Sequence, residues 1–145
     1  MIRKWTDSAE VNDMRTPIIL SIGAALLAAA LPAQAAAPSA LTVKAEARLA
    51  KALDGRVAGK PVDCINLRDI RSSEIIDRTA ILYRTSGNKL YVNRPDIGGS
   101  SLDRDDIMVT KTYSSQLCSL DTVRLLDRGT QFQSGFVGLG KFVPY

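Results

Sequence analysis

Residues 14–37 constrain this chain more than any other stretch, because they set how much of it is left to fold and under which redox conditions. They have the three parts of a secretory signal peptide. Arg15 supplies the positive charge, and residues 18–31 form an uncharged run interrupted only by Ser21 and Gly23. Pro32 then breaks the helix, and Ala33-Gln34-Ala35 offers small residues at the cleavage positions. The pattern predicts a cut after Ala35, with Ala37 as the alternative. A membrane-spanning helix needs about 20 apolar residues, so this run is short for an anchor. No cysteine follows it that could carry a lipid. Residues 1–13 bring Asp7, Glu10 and Asp13 in front of the apolar run, an acidic start that suits export poorly and makes Met14 an alternative initiator.

Removing residues 1–35 from a chain of 145 leaves 110. A chain of that size makes one domain and buries about two-thirds of its unfolded surface. The expected location is periplasmic or secreted. There the only two cysteines, Cys64 and Cys118, are expected to form one disulfide. Closing a loop of that length would stabilise the fold by about 4 kcal/mol in the chain-entropy description. The leader takes three basic and three acidic residues with it, so the net charge stays at +4. The remaining charges alternate in sign, as in Asp103-Arg104-Asp105 and Asp127-Arg128. No basic stripe interleaved with aromatics appears, which argues against a nucleic-acid partner.

From residue 36 to 58 the chain reads as an N-terminal helix and linker. Leu41, Ala45, Leu49, Ala52 and Leu53 recur at helical spacing. Ser39 is placed to cap the start and Gly55 lies just past the end, so the helix is expected over residues 40–53. Its apolar face is thin and rich in Ala, which predicts weak docking. From residue 59 to 145 short runs rich in Ile, Val, Leu and Tyr are punctuated by Gly, Asn, Asp and Pro, the pattern of a β domain. Strands are expected over residues 65–71, 74–84 with a break near Asp77-Arg78, 89–93, 106–113, 122–127 and 136–143. Residues 116–118 extend or follow the fourth of these. The clearest hairpin turns at Ser86-Gly87-Asn88 and sets Tyr83 opposite Tyr91 and Leu82 opposite Val92. The fold expected is mainly β, about six strands in a small curved antiparallel sheet or partly open barrel, preceded by one helix.

The segments Gly59-Lys60-Pro61-Val62-Asp63-Cys64-Ile65, Ile76-Asp77-Arg78-Thr79-Ala80-Ile81-Leu82-Tyr83, Leu90-Tyr91-Val92-Asn93-Arg94-Pro95, Leu117-Cys118-Ser119-Leu120-Asp121 and Gly138-Leu139-Gly140-Lys141-Phe142-Val143-Pro144-Tyr145 resemble a family of small exported Gram-negative bacterial proteins with a domain of unknown function. The resemblance spans most of residues 59–145. It implies a compact periplasmic domain and brings no activity, ligand or catalytic residue.

Chemistry-bearing patterns are few. The chain has no histidine, which removes Ser-His and Cys-His nucleophile pairs and imidazole zinc sites. Residues 55–61 mimic a phosphate-binding loop, but Pro61 stands where Ser or Thr must reach Mg²⁺. The carboxylates of Asp103, Asp105 and Asp106 offer at most an irregular Ca²⁺ site; an Asp-capped loop is the plainer reading. Asp63, Asp69, Glu74, Asp77, Asp103 and Asp121 are available for acid–base hydrolysis, yet no spacing selects a pair. Tyr83, Arg84, Tyr91 and Arg94 along the hairpin form the candidate binding face, against the simpler assignment of Tyr to a half-buried sheet face. The sequence therefore points to an exported, disulfide-bonded, β-rich module. No catalytic residue, cofactor, metal or membrane span is expected after cleavage, and the partner would be an envelope ligand or a protein. The alternatives are a small periplasmic hydrolase working with carboxylates and a purely structural envelope protein.

Overall fold

A computed structural model of the chain describes residues 39–145. The leader, its cleavage site and the alternative start lie outside the described residues. Ser39 caps helix α1 (Ala40–Ala52) by accepting a hydrogen bond from the Thr42 N–H at 3.3 Å. Ala45 and Leu49, four residues apart and hence on one face, are its buried residues.

The described residues hold nine strands, more than the six expected. In chain order they are β1 (Cys64–Asn66), β2 (Ile70–Ile76), β3 (Ala80–Thr85), β4 (Leu90–Asn93), β5 (Asp106–Thr110), β6 (Gln116–Cys118), β7 (Thr122–Asp127), β8 (Gln133–Gly138) and β9 (Phe142–Pro144). They pair as three antiparallel sheets, β2-β3-β4-β9, β5-β7-β8 and β1-β6, with no closure into a barrel. The hairpin of β3 and β4 has the expected register, Tyr83 opposite Tyr91 and Leu82 opposite Val92. Gly87 and Asn88 turn it at φ of 80° and 60°, the left-handed region these residues tolerate.

Two expected strands are divided, each for a local reason. Within residues 65–71, the Asn66 side chain accepts from the Arg68 N–H at 3.2 Å and starts a 3₁₀ turn at Leu67–Asp69. That turn sends β1 and β2 to different sheets. Within residues 136–143, the fully buried Asn93 donates to the Gly140 carbonyl at 2.6 Å and accepts from its N–H at 3.2 Å. A Cβ at position 140 would collide with the Arg94 carbonyl. The chain bends at this clamp, so β8 closes one sheet and β9 joins another.

Two apolar layers follow from alternation along the strands. Ile81 and Tyr83 of β3 enter the main core with Ile75, Val123, Leu125, Val137 and Phe142, between the four-stranded and three-stranded sheets. Ala80 and Leu82 point the other way and pack with Ile76 and Val92 beneath Ala45 and Leu49 of α1. Strand β3 is thus apolar on both faces because both are covered. The two-stranded ribbon adds Ile65 and Leu117 to the main core. Its strands are bonded by the Cys64–Cys118 disulfide between directly opposed residues, Cα atoms 4.0 Å apart. The Ser119 N–H donates to the Asp63 carbonyl at 2.6 Å. Cys64 and Cys118 are therefore a non-hydrogen-bonded pair, the position where facing side chains come closest.

Candidate interaction surface

The expected hairpin face does not assemble. Tyr83 is 4% exposed and its ring tilts against Phe142, centroids 5.7 Å apart. Burial pushes its phenol well above the ordinary tyrosine range. Tyr91 lies on the same side, partly buried against the main core, and lines a cleft of about 210 Å³ with Lys89 and Asp69. Arg94 faces the helix side and holds Glu46 of α1 with both guanidinium nitrogens, at 2.7 and 2.8 Å. Arg84 approaches Glu74 at 3.7 Å, and Glu74 also takes Arg48 of α1 at 2.7 Å. The two-residue period of a strand places the tyrosines on one face and the arginines on the other. Arg94 serves helix docking directly, and Arg84 shares Glu74 with Arg48 of α1. The hydrogen bond from Arg94 holds the Glu46 carboxyl below its usual range, and Glu46 in turn raises Arg94.

The carboxylates are likewise engaged locally. Asp77 accepts from the Arg104 N–H at 2.9 Å and Asp103 from the Asp105 N–H at 2.9 Å. Asp121 accepts from the Cys118 N–H at 2.7 Å, and Asp63 meets Lys141 at 3.2 Å. Asp127 is held below the carboxylate range by bonds from Thr130 and then Gly129. Among the described residues no group of three or more Cys, Asp or Glu side chains converges on a metal position. Within the Asp103–Asp106 segment, Asp103 caps its own loop through the Asp105 N–H. A cleft of about 320 Å³ between α1 and this loop carries Lys44, Arg48, Arg78 and Arg104 against Asp77, Asp103 and Asp105; of these carboxylates Asp77 and Asp103 accept backbone hydrogen bonds and Asp105 alone has no such partner.

The feature that stands apart is the outer face of β5-β7-β8. Val123, Leu125 and Val137 point inward, so alternation turns Ile107 and Val109 of β5, Arg124 and Leu126 of β7 and Phe136 of β8 outward. Register makes them one patch: Ile107 opposes Leu126, and Val109, Arg124 and Phe136 form a row. Ile97 lies over Gly138 next to Phe136, where a Cβ would touch its side chain at 3.4 Å. Ile97, Ile107 and Phe136 are 63%, 40% and 50% exposed. An antiparallel sheet with one solvated face ordinarily turns polar residues to water. The signal existed in the sequence: β5 contains Ile-Met-Val and β7 contains Leu-Leu, apolar on both alternations. It could be mistaken for core without knowing which face is covered.

Among the described residues no helix is long and apolar enough to cross a membrane. No protein family, curated protein or solved structure matches this chain.

Proposed function

We propose that this is a non-catalytic binding module of the cell envelope, holding a protein partner on the bare face of β5-β7-β8. The observation that carries the reading is the contiguous apolar patch around Arg124, a kind of surface that marks interaction sites on soluble proteins. None of the ion pairs among the described residues involves Arg124. The partner chemistry that fits is an aliphatic or aromatic surface around one carboxylate. The signal-peptide pattern, the bonded Cys64–Cys118 pair and the resemblance to small exported proteins support a location in the periplasm or outside the cell.

Site-specific photo-crosslinking from position 109 in the living cell tests the reading. The expected result is one defined protein adduct that disappears in the Ile107→Asp/Phe136→Asp variant while thermal stability is kept. An adduct that survives both substitutions overturns it. So does turnover of a hydrolase substrate that one Asp→Asn change abolishes. Recovery of the protein from the cytoplasm with its leader attached and both thiols reduced overturns the envelope assignment.

A further inference from the structure

Among the described residues, three of the four edges of the two larger sheets are defended and one is not. The outer edge of β9 is bonded to the segment before β1, Val62 and Phe142 exchanging hydrogen bonds at 2.8 and 2.9 Å. The outer edge of β8 is met by Ile97, which exchanges bonds with Gly138 at 3.0 and 3.4 Å. Strand β2 carries a register irregularity between Ile70 and Ser72 and the charged Arg71 and Glu74. Bulges, charges and covering segments are the devices that keep edges from pairing with other chains. Strand β5, Asp106-Ile107-Met108-Val109-Thr110, pairs with β7 on one side only. It contains neither Pro nor Lys, and β2 faces it across a cleft of about 450 Å³ without pairing.

The backbone direction at this edge follows from the ladder. The Asp127 N–H donates to the Phe132 carbonyl at 2.9 Å, so Asp127 turns its polar groups toward β8. Its partner Asp106 is then in a non-hydrogen-bonded pair, and in an antiparallel ladder the two kinds of pair alternate. Ile107 and Val109 therefore bond to β7, whereas Asp106, Met108 and Thr110 turn their N–H and C=O groups outward. The Asp106 N–H is already donated to the Asp103 carbonyl at 3.1 Å. No other hydrogen bond among the described residues reaches these outward groups.

We propose that β5 pairs antiparallel with β5 of a second copy of this chain, about a two-fold axis through Met108. That register bonds Met108 to Met108 of the second copy in both directions and sends each Thr110 N–H to the Asp106 carbonyl opposite. It sets Ile107 against Val109 across the join, so the two bare faces merge into one platform. It also sets Asp105 beside Lys111 of the second copy, twice by symmetry. Neither Asp105 nor Lys111 belongs to an ion pair among the described residues. This complementarity selects a second copy over an unrelated strand. A contact built on a five-residue edge lies at the small end of specific interfaces, so the dimer is concentration-dependent.

Sedimentation equilibrium of the oxidised protein purified from its host tests the pairing. The expected mass rises from one chain toward two with concentration. Thr110→Pro removes an outward N–H, costs the β7 ladder nothing, and is expected to leave a monomer with unchanged thermal melting. Lys111→Glu is expected to weaken the dimer at least tenfold, and the Asp105→Lys/Lys111→Glu double variant to restore it. A wild-type protein that stays monomeric at its solubility limit overturns the proposal. So does a dimer indifferent to Thr110→Pro, or a double variant as weak as the single one. A dimer broken by Phe136→Asp and untouched by Thr110→Pro assigns self-association to the sheet face instead. The crosslink from position 109 to a different protein is read separately, so edge pairing and partner binding stand or fall independently.

Discussion

The two sheets that enclose the main core present opposite outer faces. The outer face of β2-β3-β4-β9 is roofed by α1, whose Ala45 and Leu49 bury Leu82 and Val92 beneath them. The outer face of β5-β7-β8 carries side chains of the same kind and, among the described residues, has no roof. The helix that covers the first face has few apolar residues of its own. Its small Ala45 allows close approach, and two arginine-centred ion pairs hold its middle turn, Arg94 to Glu46 and Arg48 to Glu74. The difference shows that apolar alternation on a strand reports a covered face without saying what covers it. In one sheet the cover is the 13-residue helix of the same chain upstream of β1; in the other the proposed cover is another molecule.

The comparison can be broken first at the layer the two sheets share. The Cys64–Cys118 bond holds the ribbon that inserts Ile65 and Leu117 into that layer. Its removal in a Cys64→Ala/Cys118→Ala variant should cost about 4 kcal/mol of unfolding free energy. Chemical denaturation of both forms measures it, and a loss below 1 kcal/mol (~) would mean that the ribbon is not part of the cooperative core. Next comes the same kind of deletion on each outer face. Leu49→Ala, under the helix, should cost about 2–5 kcal/mol. Phe136→Ala, on the bare face, should change stability by less than about 0.5 kcal/mol. Equal losses would show that something covers the second face in the isolated protein.

The smallest effect concerns the helix clamp. Arg94 and Glu46 are about half exposed, so Arg94→Ala should cost no more than about 1 kcal/mol. Its signature is the pH dependence. Because the folded-state carboxyl of Glu46 is held low, the stabilisation is present above the unfolded value of about 4.3 and is lost as pH falls through the lower folded value. Thermal melts between neutral and acidic pH should therefore show a decline that Arg94→Ala flattens. An unchanged acid profile in the variant would place the acid sensitivity elsewhere.

Much of the fold was readable from local chemistry. Ser39 capped the helix where the spacing put it, Gly87-Asn88 turned the hairpin, and the Tyr83–Tyr91 register followed from that turn. Strand β7 was bounded correctly because Asp121 and Asp127 both form turn bonds at its ends. The failures were long-range. Gly140 looked like a weak point inside one strand until the buried Asn93, 47 residues away, proved to hold it. Tyr83 and Arg84 looked like neighbours on a binding face, although a strand sends adjacent residues to opposite sides.

The sequence by itself determined the class of fold, the cysteine pairing and the absence of any imidazole chemistry, since composition and short-range spacing decide these. Only the tertiary structure decided which faces are buried and which strand edges are spent. Burial is a property of what packs against a residue, and the packing partners here come from opposite ends of the chain. For that reason the bare face around Arg124 and the open edge of β5 were invisible until the helix and the segments before β1 and β5 had taken their places.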